Sequence, residues 1–172
     1  MTVQELRKIL TLVPFNVLLG MRLQRVHRDG VTIDCMVRDQ LRNSAGLVHG
    51  GVAAALADAA VGIGIQAHFK GGRRITTVEM KINYFLPVKE GRMVARSHLL
   101  RIGSSLCVGS VDLRDDGGRL VGTAIVTYMF LDAKAGSPGS GQKSEVRTPR
   151  QLNARATAAR TARRSQSPRT MQ

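Results

Sequence analysis

The chain has 172 residues, enough for one domain with a substantial core, and 43% of them are hydrophobic. The formal charge is +14, but it is unevenly distributed, because residues 134–172 contain nine Lys or Arg and one acid and so contribute +8. No apolar run reaches transmembrane length and the N-terminus lacks a signal-peptide pattern, so we expect a cytoplasmic protein without a membrane span.

The first third of the chain predicts a helix followed by a hairpin. Apolar residues at helical spacing indicate a helix over residues 3–12 that ends before Pro14. Alternating apolar and polar residues over 20–27 and 31–37, separated by the turn sequence RDG, predict two antiparallel strands. Cys35 and Cys107 lie in apolar strand-like segments without metal-ligand spacing, so we expect two buried free thiols.

A single long helix and a run of strands follow. Residues 38–47 form a polar loop, and residues 51–68 are apolar at nearly every position up to the glycines of KGGRR, which predicts a helix covered on most sides. Four strands are then predicted as an antiparallel meander, over residues 75–85, 92–102, 106–113 and 120–131. Because strands segregate from one helix, the pattern favours an α+β fold with a curved antiparallel sheet wrapped around that helix.

The C-terminal segment has a different composition. Residues 134–172 are rich in Gly, Ser, Pro, Ala and Arg and contain too few apolar residues to offset the entropy of ordering. We therefore predict a folded domain over residues 1–133 and a disordered basic tail over residues 134–172. A solvated tail is the favoured interpretation, and contact of the tail with nucleic acid or acidic lipid is the minor one, since no aromatic residues are interleaved for base stacking.

The sequence LVHGGVAAALADAAVG at the start of the long helix is the candidate site. Gly50 and Gly51 place unpaired backbone N–H groups at a helix N-terminus, where a substrate carbonyl can approach as in an oxyanion hole. Asp58 is the only charged residue between Val52 and Ile65. On one helix it lies roughly 12 Å from Gly50, so the two would serve one carbonyl if a second subunit closes the site.

Each of these residues also has a purely structural interpretation. His49 caps a loop, the glycines permit close packing, and Asp58 pairs with a buried Arg or accepts backbone N–H bonds. Three other kinds of site find less support. The histidines are scattered without clustered ligands, which disfavours a metal site, and no G-x-S-x-G sequence of an α/β-hydrolase is present. The Gly62-x-Gly64 pattern, which resembles a dinucleotide-binding sequence, lies inside the predicted helix with no strand before it. We expect no metal and no cofactor.

With Asn43 placed six residues before His49, the stretch NSAGLVHGG followed by AALADAA resembles the signature of acyl-CoA thioesterases with the hotdog fold, of the phenylacetate-degradation type. The segments TTVEMKINYFLPVKEG and ARSHLLRIGSSLCVGSVDLRDDGGRLVGTAIVTYMF resemble the later strands of that family, so the likeness spans about residues 16–131. It implies the hotdog fold, a homodimer that is often paired into a tetramer, and active sites at the subunit interface.

The resemblance also implies roles for single residues. Asp58 would activate water or attack the thioester, the Gly50 N–H would polarise the carbonyl, and His49 and Asn43 would position the loop and the substrate. Thr77 corresponds to a Ser or Thr that helps to hold the water. Coenzyme A phosphates would be met by nearby arginines, because Ser104 and Ser105 replace the basic residue that many relatives carry; the candidates are Arg101, Arg73 and Arg74.

Two other functions are compatible with the same fold. A non-catalytic acyl-CoA-binding module, tethered by its basic tail, would bind the thioester without releasing thiol. A hydratase or dehydratase would require a catalytic His beside the acid, and the sequence places no second His near Asp58. The residue pattern and the resemblance together favour hydrolysis of an acyl-CoA to a carboxylic acid and free coenzyme A.

Overall fold

The computed structural model describes residues 1–131, and the predicted tail over residues 134–172 lies outside the described residues. The helices are α1 (Val3–Thr11), α2 (Pro14–Leu19) and α3 (Gly50–His68). The strands are β1 (Arg22–His27), β2 (Gly30–Met36), β3 (Ile75–Tyr84), β4 (Arg92–Ile102), β5 (Leu106–Arg114) and β6 (Leu120–Phe130). The predicted α+β class is confirmed, and strand boundaries differ from the predicted ones by two residues or fewer.

Helix α2 was not predicted, because Pro14 reads as the end of α1. The chain does leave α1 before Pro14, but the proline then occupies the first turn of a new helix, where its missing N–H costs nothing. Gly20 ends α2 in the left-handed conformation (φ 68°). The predicted loop over residues 38–47 likewise contains a short 3₁₀ turn, Asp39–Leu41.

The six strands form one antiparallel sheet in the order β1-β2-β4-β5-β6-β3. The predicted meander therefore holds only for β4, β5 and β6. Strand β3 does not pair with β4; it crosses to the far side and pairs with β6, which brings Thr77 opposite Tyr128. The prediction that β3 lies beside β4 was therefore wrong. It rested on the order of the strands in the sequence, and a short connection between two strands does not require them to pair.

Helix α3 is the core around which the sheet curves. It contacts β2, β3, β4, β5 and β6, and α1 packs on it as well. Its buried residues lie on most of its faces: Val52, Ala53, Leu56, Ala57, Ala60, Val61, Gly62, Ile63, Gly64 and Ile65. Among the helices of residues 1–131, only α3 is long and apolar enough to cross a membrane, and this composition equally suits a helix wrapped by its own sheet.

Strand β3 forms an exposed edge of the sheet. Seven of its ten residues are exposed, among them the apolar residues Val78 and Met80 and the ring of Tyr84. An apolar edge strand with unpaired backbone groups is a template for pairing with another chain. Thr77, one of the predicted site residues, belongs to this edge strand, so the edge is continuous with the candidate site.

A buried carboxylate links three strands at the end of the sheet farthest from β3. Asp34 on β2 is 3% exposed; its Oδ1 lies 3.3 Å from Nε of Arg22 on β1, and its Oδ2 lies 2.9 Å from Nη1 of Arg92 on β4. Both arginines are partly exposed, so they remain hydrated while the carboxylate is not. The carboxylate thus joins three strands and is satisfied on both oxygens.

We expect Asp34→Ala to lower the free energy of unfolding by about 1–3 kcal/mol, because a buried ionic network loses its centre while the arginines can still reach solvent. Urea denaturation with an unchanged m-value measures this loss. Asp112→Ala is the matched control: its pair with Arg114 is about two-fifths exposed, and its loss should cost about 0–1 kcal/mol. Equal losses for both variants would contradict the proposed importance of the buried network.

Candidate active site along helix α3

The N-terminus of α3 presents a backbone donor. His49 is the N-cap, and its Nδ1 accepts a hydrogen bond from the Gly51 N–H at 3.0 Å, which places the ring proton on Nε2. The Val52 N–H donates to the His49 carbonyl at 2.9 Å. The Gly50 N–H has no acceptor among residues 1–131, so the capped helix end leaves this donor open.

The loop before α3 and the strand beside it fix this helix end. Oδ1 of Asn43 accepts from the N–H groups of Ala45 (3.0 Å) and Leu47 (3.1 Å), so Asn43 holds the loop in a turn. The Tyr84 hydroxyl donates to the Gly50 carbonyl at 3.0 Å. Asn43, Gly50 and Tyr84 line a common cavity of about 310 Å³ together with apolar residues of the segments 47–48 and 85–88 and of β4, β5 and β6.

Asp58 occupies a second, separate place two turns along α3. Its Oδ1 accepts from the hydroxyls of Thr77 (2.8 Å) and Tyr128 (2.9 Å), and it is half-buried. No ion pair joins it to a Lys or Arg within residues 1–131, so the described residues do not support the structural interpretation of Asp58 as half of a buried ion pair. Two neutral donors hold one oxygen, and no described residue donates a hydrogen bond to Oδ2.

Thr77 reaches Asp58 because of an irregularity in β3. The register of β3 against β6 shifts between Thr77 and Glu79, which is the mark of a β-bulge. Bulges redirect side chains, and here the Thr77 hydroxyl is directed onto the carboxylate of α3.

The cavity beside Asp58 measures about 280 Å³ and is mostly apolar. It is bounded by α1, α2, the connection between them, α3, β3 and β6, through Ile9, Val13, Asn16, Asp58, Ala59, Gly62, Ile63, Gln66, Ile75 and Tyr128. It does not include Gly50, and the cavity at Gly50 does not include Asp58. Within one chain, Gly50 and Asp58 therefore line different cavities.

By strand register, the three candidate arginines lie towards the end of the sheet at which Thr77 pairs with Tyr128. Arg101 pairs with Val108 near the end of β4, and Arg74 directly precedes the start of β3. Arg73 is committed to packing, since its guanidinium lies 4.7 Å from the centre of the Phe69 ring and 4.8 Å from that of the Phe130 ring. Arg101 and Arg74 are exposed, and the Arg74 carbonyl accepts from the Leu131 N–H at 2.9 Å.

Comparison with known proteins identifies the family. A family model described as the thioesterase superfamily matches residues 45–122. The mouse protein acyl-coenzyme A thioesterase 13 is 30% identical over 113 residues, which cover 64% of this chain and 80% of that protein. The chain belongs to the thioesterase superfamily. The family is one of thioester hydrolases, and the match includes both His49 and Asp58.

Two further proteins extend the comparison with this thioesterase. The medium/long-chain acyl-CoA thioesterase YigI of Escherichia coli (strain K12) is 27% identical over 131 residues, covering 67% of this chain and 84% of that protein. The structure of a mutant of the phenylacetic acid degradation protein PaaI from Thermus thermophilus superimposes with a TM-score of 0.61 at 23% identity, covering 68% of this chain and 98% of that chain. The predicted hotdog fold and the family resemblance are confirmed.

Sequence reasoning missed two residues of the thioesterase that contact the candidate site. Tyr128 donates to Asp58, and Tyr84 donates to the Gly50 carbonyl. Alternation along β6 places Tyr128 in the inward row with Val126 and Phe130, so the strand pattern was available. The contact of Tyr128 with Asp58 could not be predicted, because the site is assembled by the pairing of β3 with β6, which depends on the crossover.

The two thiols take no part in this site. Cys35 and Cys107 are free and buried, as predicted. Burial raises the pKa of each thiol to about 11, so both are protonated at neutral pH.

Proposed function

We propose that this protein hydrolyses acyl-CoA thioesters to a carboxylic acid and free coenzyme A at a site shared between two subunits. The observation that carries the proposal is the Asp58 carboxylate. Within residues 1–131 it is held on Oδ1 by two hydroxyls, has no cationic partner and accepts no hydrogen bond on Oδ2, and Asp58 lines a mostly apolar cavity. A carboxylate placed in this way can accept a proton or form a bond to an acyl carbon.

In the general-base route, Oδ2 of Asp58 removes a proton from water as the water oxygen bonds to the thioester carbon. The carbonyl oxygen becomes an oxyanion, which the Gly50 N–H of the neighbouring subunit stabilises. The carbon–sulfur bond then breaks, and the proton passes to the leaving thiolate. In the nucleophilic route, Oδ2 itself bonds to the acyl carbon, thiolate leaves, and water hydrolyses the resulting anhydride. A covalent acyl-enzyme, seen as an increase in protein mass by the acyl group, forms only in this second route.

A second subunit is proposed for a geometric reason. Gly50 and Asp58 face different cavities of one chain, and the helical rise separates them by roughly 12 Å. Pairing of two β3 edges about a two-fold axis would extend the sheet and cover the exposed Val78 and Met80. Antiparallel α3 helices would then bring Gly50 of each chain towards Asp58 of the other.

The acyl-CoA substrate follows from the names of the relatives and from the chemistry of the pocket. Both curated relatives described above are acyl-CoA thioesterases. The cavity beside Asp58 is lined mainly by Ile, Val and Ala side chains, which suit an acyl chain. We place the coenzyme A phosphates near the three candidate arginines, Arg101, Arg73 and Arg74, of which Arg73 also packs on the Phe69 ring.

A thiol-release assay with short, long and aromatic acyl-CoAs tests this function. We expect turnover of at least one class, detected with a chromogenic disulfide reagent. The protein's own thiols will contribute little background, because Cys35 and Cys107 are buried and protonated. Stabilisation by acyl-CoA in a thermal shift without thiol release would contradict hydrolysis and indicate a binding module, and hydration of an enoyl-CoA would indicate a hydratase.

A further inference from the structure

The phenol of Tyr128 lies at the back of the Asp58 carboxylate, inside the core. Tyr128 is 6% exposed, and its hydroxyl oxygen lies 2.9 Å from Oδ1 and 3.0 Å from the backbone carbonyl oxygen of Asp58. A phenol has one proton, so it donates to one of these oxygens at a time. Either bond connects β6 to the turn of α3 that carries the carboxylate.

Gly62 provides the space for this hydroxyl. It follows Asp58 by four residues and therefore lies on the same face of α3. A Cβ at residue 62 would lie 2.9 Å from the Tyr128 hydroxyl oxygen and 3.3 Å from Cζ. No side chain fits there without moving the phenol, so Gly62 has a steric role that helix propensity, which favours Ala over Gly, would oppose.

The phenol is a dependable donor in this position. Burial raises the pKa of Tyr128 above its ordinary value, and the neighbouring negative charge of Asp58 raises it further. The hydroxyl is therefore protonated at every pH at which the enzyme would be assayed. Thr77 donates to the same oxygen from β3, so the two donors approach Oδ1 from adjacent strands.

We propose that Tyr128, seated against Gly62, is a positioning residue that orients the Asp58 carboxylate so that Oδ2 faces the cavity. The inference rests on the proposed function, in which Asp58 acts on the thioester. Two donors on Oδ1 set the rotation of the carboxylate about its Cβ–Cγ bond, and a reacting oxygen displaced by even 1 Å lowers the rate substantially. Tyr128 itself does not contact the substrate in this scheme.

The first test removes the hydroxyl with Tyr128→Phe. We expect kcat to fall roughly 10- to 100-fold with KM little changed, because orientation is lost and binding is not. Thr127→Val is the matched control: its hydroxyl, on the other face of β6, lies 3.3 Å from Glu79, and kcat should not change. A wild-type kcat in Tyr128→Phe, or a rise in KM with unchanged kcat, would overturn the proposal.

The second test uses Gly62→Ala in both backgrounds. In the wild type, Gly62→Ala should lower kcat to a similar extent, because the new Cβ displaces the hydroxyl. In the Tyr128→Phe background it should lower kcat little further, since the oxygen that it would displace is absent. Additive losses in the double variant would overturn the pairing of Gly62 with Tyr128, and melting temperatures verify that each variant folds.

The result for Asp58→Asn separates this inference from the proposed function. If Asp58→Asn retains wild-type turnover, the proposed chemistry is wrong. If Asp58→Asn is inactive while Tyr128→Phe and Gly62→Ala retain full kcat, only the positioning role is wrong. In the Asp58→Asn background, Tyr128→Phe should have no further effect on residual turnover, and a further tenfold loss would show that Tyr128 acts independently of Asp58.

Discussion

Asp58→Asn is expected to lower kcat for acyl-CoA hydrolysis by roughly 10²–10⁴-fold, the usual contribution of general-base catalysis. The substitution preserves the site almost atom for atom, because the amide oxygen can still accept from the Thr77 and Tyr128 hydroxyls. Only Oδ2 is changed, to an amide nitrogen that neither accepts a proton nor attacks a carbonyl. The loss should therefore appear in kcat rather than in stability.

Initial-rate thiol release with the best substrate of the panel measures this effect. Asp116→Asn is the matched control, since it makes the same chemical change at an exposed turn between β5 and β6. Turnover of Asp58→Asn at the wild-type rate would exclude Asp58 as base or nucleophile.

Gly50→Pro is expected to lower kcat by roughly 10²–10³-fold, the usual loss when one oxyanion donor is removed. Gly50 is the first residue of α3, where proline is readily accommodated, and His49 before it is already extended, with ψ at 135°. The substitution thus removes the open N–H and no hydrogen bond within the helix. The N-cap bond from Gly51 to His49 is retained.

Gly50→Ala separates the loss of the donor from the addition of a side chain. A Cβ at residue 50 would lie 3.2 Å from the Tyr84 ring and hydroxyl, but that side chain is exposed and able to shift. We expect Gly50→Ala to lose much less activity than Gly50→Pro, because it keeps the N–H. Equal losses would assign the effect to crowding of Tyr84 and count against an oxyanion role.

The same two variants test whether the site spans two subunits. When Asp58→Asn and Gly50→Pro chains are coexpressed, random pairing makes half of the dimers mixed, and each mixed dimer has one site with both groups intact. About a quarter of the wild-type activity should therefore return. Failure to recover activity in dimers shown to be mixed would place Gly50 and Asp58 of the same chain in one site.

Much of the fold could be predicted from hydrophobic patterning. The apolar segments predicted as later strands correspond to β4, β5 and β6, in which burial alternates along all of β5 and most of β4 and β6. The uniform apolarity of α3 corresponds to its position inside the sheet. The position of β3 could not be predicted in this way. The residue pattern of β3 does not distinguish pairing with β4 from pairing with β6. The choice depends on a crossover that no local sequence signal specifies.

The residues of the candidate site likewise form two groups, those that the local sequence could identify and those that it could not. His49, Gly50 and Asp58 lie within one helix and its cap, where residue type and helical spacing are sufficient to single them out. Tyr128 is 70 residues from Asp58 along the chain, and Tyr84 is 34 residues from Gly50. Contacts between such distant residues arise from strand order and register, so a single sequence offers no direct signal for them.

By itself, the sequence determined an α+β domain with one apolar helix, an open donor at the N-terminus of that helix and a solitary carboxylate two turns later, because these depend on local propensity and periodicity. Tertiary structure alone decided what surrounds the carboxylate. The crossover that pairs β3 with β6 brings Thr77 and Tyr128 to one oxygen of Asp58, and Gly62 leaves room for the phenol. These are contacts between distant segments, and only packing of the whole domain specifies them.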